Sequence, residues 1–143
     1  MPVGRLEDKI FDPSVSDSSV ELRAVVIMDP AQLDQLPFGA IRLDASGKIR
    51  GYNRFESRLS GLDPNGVIGK NFFTEVAPCT NVQSFAGRFR EGVAKGELHA
   101  VFSYYMNFNP PRDVTITLYF HKATGNAWVL IKASLPRGEN TAR

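Results

Sequence analysis

The chain has almost no cysteine, since Cys79 is the only one among its 143 residues. A single thiol excludes an internal disulfide, and it cannot build a structural zinc site, which takes several cysteine or histidine ligands. His99 and His121 lie on predicted strands and have no ligand partner at useful spacing, so no metal site is expected. Disulfide-free chains are typical of reducing compartments, and the sequence therefore indicates a cytoplasmic protein.

Long apolar runs are missing too, because the longest span only residues 24–28 and 127–131. A helix that crosses a bilayer needs roughly 20 apolar residues, and residues 1–10 do not form a signal peptide. The charge is balanced, with 17 basic and 15 acidic side chains and a net charge of +2. We therefore expect neither a membrane nor a nucleic acid as partner.

Motifs for common enzyme chemistry are also absent. No phosphate-binding loop of the P-loop type occurs, and no dinucleotide fingerprint follows a predicted strand. A cysteine–histidine nucleophile pair would need Cys79 to meet a histidine in space, and no local motif supports that pairing. We expect a protein that is not an enzyme.

Composition divides the chain into three parts. Residues 1–35 are interpreted as an irregular cap that contains a short helix, because Asp29 followed by Pro30 is typical of a helix start. Residues 36–133 form the core domain, and residues 134–143 form a polar tail. A chain of this length with 43% apolar residues suits one domain with a hydrophobic core.

Hydrophobic periodicity predicts that strands and helices of the core domain occur in separate runs. Phe85, Phe89 and Val93 recur every four residues, which predicts one amphipathic helix over residues 84–95. The other predicted elements are strands at 40–43, 49–53, 100–108, 114–120 and 128–132, a tight turn at 44–47, and short helices at 54–60 and 64–69. This order predicts an α+β domain in which helices pack on an antiparallel sheet.

Cys79 has two competing interpretations. A lone cysteine is ordinarily an inert, buried, small hydrophobic residue. Its neighbours Pro78 and Thr80 favour another role, because they place the thiol in an irregular loop between an apolar segment and an amphipathic helix. A thiolate in such a loop is a competent nucleophile toward an activated acyl group.

Tyr52 and Glu56 form a second candidate pair. Tyr52 ends a predicted strand and Glu56 lies four residues later on the next helix, so both side chains can reach a common point. On spacing alone, a surface glutamate beside a half-buried tyrosine is the more frequent outcome. A glutamate buried among apolar groups would instead have a raised pKa and could donate a hydrogen bond in its protonated form.

Residues 37–93 closely resemble the photoactive yellow protein family. The likeness is carried by FGAI at 38–41, YN at 52–53, VIGKNFF at 67–73, VAPCT at 76–80 and EGV at 91–93. These runs occur in the family's order with nearly the same spacing, and the likeness covers about two-thirds of the chain. It is more specific than a general resemblance to PAS domains, which share a fold but not these runs.

The resemblance implies a blue-light photoreceptor with a PAS fold: a five-stranded antiparallel sheet flanked by helices, with an N-terminal cap. It implies p-coumaric acid held as a thioester on Cys79, with Tyr52 and protonated Glu56 hydrogen-bonded to its phenolate. Ser60 falls where the family has a threonine that supports the tyrosine. Further pocket-lining positions implied by the family are Ile41, Phe72, Val76, Ala77 and Pro78. After light absorption, Glu56 is expected to protonate the phenolate, and the cap is expected to loosen as the signal.

Three positions at the pocket edge depart from the family pattern. Leu62 stands where an arginine is frequent, Met106 where a phenylalanine is frequent, and Phe108 where a tyrosine is frequent. We expect that these changes keep chromophore binding and slow the dark recovery. The alternative function is a chromophore-free PAS module for protein interaction or small-ligand binding. The downstream partner, a separate signalling protein or a fused output domain, is not named by the sequence, and a monomer or weak dimer is expected.

Overall fold

The computed structural model describes residues 18–133. It contains helices α1 (Ser18–Val25), α2 (Pro30–Leu33), α3 (Arg54–Ser60), α4 (Pro64–Val67) and α5 (Arg88–Lys95), and strands β1 (Gly39–Leu43), β2 (Ile49–Tyr52), β3 (His99–Met106), β4 (Arg112–His121) and β5 (Asn126–Ala133). The predicted α+β class and five-stranded sheet are confirmed. The predictions for residues 1–17 of the cap and for the tail at 134–143 lie outside the described residues. No helix in the described part is long and apolar enough to span a bilayer.

The strands form one antiparallel sheet in the order β2-β1-β5-β4-β3. Successive side chains of a strand point to opposite faces, and both faces of β1 and β5 are covered. Ile41 pairs with Val129 and packs in the larger core cluster. Ala40 pairs with Leu130 and packs with Trp128 in a second cluster on the opposite face. This double burial explains why the apolar run of β5 is continuous rather than alternating.

The cap covers that second face with helices α1 and α2. Leu22 and Val25, three residues apart on α1, are both buried against the sheet. The sequence predicted only the short helix at Asp29 in the cap, and α1 was not predicted. The helix start at Asp29 is confirmed: its side chain accepts from the backbone N–H of Gln32, while the Gln32 side chain accepts from the backbone N–H of Asp29.

The turn predicted between β1 and β2 and the two short helices predicted after β2 are present, although the second helix ends at Val67 rather than near Gly69. Helix α3 has the predicted bounds and ends at Gly61, whose φ of 77° lies in the left-handed region that glycine adopts without strain. Helix α4 begins after Asp63, which accepts a hydrogen bond from the backbone N–H of Asn65. These two helices pack the β2–α3 junction against the larger core.

The predicted helix at 84–95 is wrong in its first turn. Residues Gln83–Gly87 form a wide π-helical turn, and regular α-helix begins only at Arg88. A second π-helical turn at Phe72–Val76 was not predicted. Both turns shift aromatic rings into one group, in which the Phe85 ring lies 5.8 Å from that of Phe73 and 5.1 Å from that of Tyr104. Packing of these rings overrides the local helical pattern.

Candidate functional site

Tyr52 lies at the end of β2, where the chain leaves the sheet and enters α3. Its ring is buried and belongs to the larger core cluster. Its hydroxyl donates to the Ser60 Oγ at 2.9 Å, and this bond links the end of β2 to the last residue of α3. Burial raises the pKa of Tyr52 well above its usual value, the nearby charge of Glu56 adds to the rise, and the Ser60 hydrogen bond partly offsets it.

Glu56 lies on the first turn of α3 and is 1% exposed. Burial raises its pKa to about 8, so the carboxyl is protonated at neutral pH. Its Oε1 has no hydrogen-bond partner among the described residues. The carboxyl packs directly over Gly39, where any added Cβ would overlap Oε1. The fold therefore holds a protonated acid in its interior and leaves one of its polar atoms unpaired.

Cys79 lies in a single turn of 3₁₀ helix, Pro78–Thr80, and its thiol is free and half-buried. Two hydroxyl groups fix the backbone on either side of it. The Thr80 hydroxyl donates to the Ala77 carbonyl at 2.7 Å, and the Tyr104 hydroxyl donates to the Cys79 carbonyl at 2.6 Å. The thiol is thus presented from a rigid irregular turn, as the sequence predicted, and not from a regular helix or strand.

Most of the predicted lining residues converge on one cluster. Ile41, Phe72, Met106 and Phe108 are buried with Tyr52, and Val76, Ala77 and Cys79 pack against them as partly buried residues. Two predicted lining positions differ, because Pro78 is exposed and Leu62 is 38% exposed on the loop after α3. Cys79 and Tyr52 therefore border the same apolar core, while Leu62 stands at the surface.

Three residues around the site were not singled out from the sequence. Asn53 is 3% exposed, and its Oδ1 accepts from the backbone N–H groups of Ala40 and Glu56 at 2.9 and 3.0 Å. Its position between a strand and a helix signals an N-cap, so this role could have been found. Gly39 carries no local signal for its contact with Glu56. Tyr104 lies 25 residues from Cys79 in sequence, and the two meet only because β3 packs beside the Cys79 turn.

Comparison with known proteins places the chain in a family. A family profile described as PAS fold matches residues 27–122. The photoactive yellow protein of Rhodothalassium salexigens is 45% identical over 111 residues, covering 76% of this chain and 88% of that protein. That of Halochromatium salexigens is 46% identical over 106 residues, covering 73% and 85%.

A solved structure agrees with these relatives. The photoactive yellow protein domain of the sensor histidine kinase Ppr from Rhodospirillum centenum superposes with a TM-score of 0.73 at 46% identity. The superposition covers 77% of this chain and 97% of that domain. The sequence match, the site cluster and the shared fold lead to one conclusion: this chain belongs to the photoactive yellow protein family of PAS-fold photoreceptors.

Proposed function

We propose that this protein senses blue light through p-coumaric acid held as a thioester on Cys79, with Tyr52 and Glu56 hydrogen-bonded to the phenolate oxygen. The observation that carries the proposal is the unpaired Oε1 of Glu56 in a buried, protonated carboxyl. Buried polar groups are ordinarily paired, and an unpaired one calls for an explanation. A ligand with an anionic oxygen would supply the missing acceptor.

The bound p-coumaroyl thioester would supply the blue absorption and a double bond that isomerises in light. The chain would supply two proton donors and a fixed attachment point. A serine hydroxyl can donate or accept, so Ser60 could keep its hydrogen bond to Tyr52 when the tyrosine turns its proton toward a ligand. Tyr104 would hold the Cys79 peptide in place through its carbonyl.

Loss of the Glu56 proton would create the signal. A carboxylate at this 1% exposed position would be a buried charge without a paired cation, at a cost of several kcal/mol. Asn53 is the route to the cap, because its Oδ1 accepts from the Glu56 N–H while its Nδ2 donates to the carbonyls of Leu33 and Phe38 at 2.8 and 3.0 Å. A shift of the Glu56 turn would strain these bonds and loosen the cap.

The decisive test is reconstitution of the purified protein with activated p-coumaric acid. We expect a blue absorption band and an acyl mass increment on the Cys79 peptide, both lost in Cys79→Ala. Glu56→Gln is the matched control, since it should keep the acyl increment and shift only the band. No increment on a folded wild-type protein would contradict the proposal and favour a chromophore-free PAS module.

The edge of the site is where we propose a difference in timing. Met106 and Phe108 are buried at positions where the family frequently has phenylalanine and tyrosine, and Leu62 is exposed where it frequently has arginine. A neutral, apolar edge offers no charge to the chromophore, so we expect dark recovery slower than in relatives with the usual residues. Flash photolysis measures the rate, and equal rates would refute this part.

An output partner completes the proposed function. The solved neighbour is a domain of a sensor histidine kinase, which supports a fused output domain or a separate signalling protein as the receiver of the signal. We place the receptor in the cytoplasm, where a single free thiol stays reduced until it is acylated. A pull-down with the chromophore-loaded protein in light and in darkness would test for such a partner. Cys79→Ala, which cannot carry the chromophore, is the light-insensitive control.

A further inference from the structure

A groove of about 470 Å³ lies on the side of the sheet that carries the cap, between α2, the β1–β2 hairpin and α3. Four arginines line it, Arg42, Arg50, Arg54 and Arg58, together with a single acid, Asp34. The whole chain has a net charge of only +2, so basic charge is concentrated at this one place. The chemistry proposed above does not use these arginines.

Two of the arginines come from the hairpin. The Arg42 Nη2 donates to the Arg50 carbonyl at 3.4 Å, and the Arg42 Nε is buried without a hydrogen-bond partner among the described residues. Arg50 forms an ion pair with Asp44 at 3.0 Å and is half exposed. A buried donor without an acceptor is costly, and a ligand oxygen that reached Arg42 would satisfy it.

The other two arginines come from α3. Arg54 and Arg58 are four residues apart, which places both guanidinium groups on one face, and both residues are exposed. Like charges at this spacing destabilise a helix unless an anion lies between them. Within residues 18–133 neither guanidinium forms an ion pair, and Asp34 is already engaged by the backbone N–H of Arg54 at 2.8 Å.

We propose that this groove binds an organic phosphate of about mononucleotide size. The planar guanidinium group matches phosphate oxygens in pairs, and the three that form no ion pair within residues 18–133 suit a ligand with two or more negative charges. The volume lies in the range of about 300–1,000 Å³ that small-molecule sites occupy. Pro30, Leu33 and Pro64 offer apolar surface for the organic part. A long polyanion fits less well, because the chain as a whole has little net charge.

The test is titration calorimetry on the full chain with ADP, GDP, pyrophosphate, inorganic phosphate and a short oligonucleotide at low and at physiological salt. We expect a nucleoside diphosphate to bind with a millimolar or tighter dissociation constant. Arg42→Gln and Arg58→Gln should each weaken binding about tenfold, since each removes a charge-assisted hydrogen bond. Arg112→Gln, an exposed arginine at the start of β4 outside the groove, removes the same charge and should change affinity less than twofold.

Four outcomes would overturn the proposal: no detectable binding to the folded wild type, an equal loss in the Arg112 control, unchanged affinity in Arg58→Gln, or tighter binding of an oligonucleotide than of any mononucleotide. If inorganic phosphate binds as tightly as the nucleoside diphosphates, the groove binds free phosphate, and the proposal that it recognises an organic phosphate is refuted. Thermal melts of each variant check the fold, and Arg58 is exposed, so its substitution should leave the melting temperature within a few degrees.

Discussion

Replacing Glu56 by glutamine should remove the fall in stability that Glu56 causes between pH 5 and pH 8 in the protein prepared without a chromophore. Glutamine has nearly the same shape and no charge to lose. In the native state burial raises the pKa of Glu56 from 4.5 to about 8. In the unfolded chain the group titrates near its ordinary value. Between these two values the unfolded state releases a proton that the native state keeps, so stability falls as pH rises through this window.

The size of the effect follows from the gap between 4.5 and about 8. Each pH unit in that window lowers the free energy of unfolding by about 1.4 kcal/mol, which gives an upper limit of about 5 kcal/mol over the whole window. This is a large part of the roughly 5–15 kcal/mol that stabilises a domain. The contribution of Glu56 to the stability of the protein without chromophore should therefore be greatest below pH 5 and smallest above pH 8.

Urea titrations at pH 5, 6, 7 and 8 on the wild type and on Glu56→Gln provide the assay. The two proteins differ only at residue 56, so the difference between the two curves isolates Glu56. Glu97→Gln is the matched control, because Glu97 is exposed and should give a curve parallel to the wild type. Parallel curves for wild type and Glu56→Gln would show that Glu56 is already ionised, and would refute the argument from burial.

Three further substitutions test the surroundings of the site. Gly39→Ala should lower the free energy of unfolding by about 1–3 kcal/mol in urea titrations, because its Cβ displaces the Glu56 carboxyl; wild-type stability would contradict the contact. Asn53→Ala should cost about 3 kcal/mol and speed amide exchange in α2, since one side chain forms four hydrogen bonds; unchanged exchange would argue against the link to the cap. Tyr104→Phe should cost about 1 kcal/mol and change the reaction rate of the Cys79 thiol with a disulfide reagent, and an identical rate would show that the carbonyl contact does not position the turn.

Local signals were sufficient for much of this fold. Asp29 followed by Pro30 predicted the start of α2, the helix predicted at residues 54–60 has the bounds of α3, and the strand predicted at residues 114–120 lies within β4. Each depends on the backbone preference of one residue or on periodicity within one element. Such information is contained in a short window of sequence.

The features that sequence reasoning missed depend on contacts between distant segments. The π-helical turn at Gln83–Gly87 is stabilised by aromatic packing with Phe73 and Tyr104, neither of which is close in sequence to Phe85. The four-residue spacing of Phe85, Phe89 and Val93 predicts an ordinary α-helix. The same limit applies to Gly39, whose contact with Glu56 becomes visible only when β1 and α3 pack together.

The candidate site stands between these two cases. Spacing alone favoured an exposed Glu56, and burial is the fact that changes its chemistry. The sequence did supply the likeness of whole runs of residues to a known family. Members of one family share a fold, so the likeness implies the same packing around these residues. The relatives at 45% and 46% identity confirm the family, while the role of each site residue stays a prediction.

In the proposed mechanism, the junction from Tyr52 to Glu56 is the link through which one proton at this site would affect the cap. Tyr52 packs in the larger core and Glu56 is buried, while the side chain of Asn53 between them donates to the carbonyls of Leu33 and Phe38. These bonds end on backbone atoms, so no substitution of a cap side chain except by proline or glycine would alter them directly. The cap itself contributes only a small apolar cluster to the second face. Ionised Glu56, at a cost of several kcal/mol, would therefore act on a cap that only this small cluster holds against the sheet.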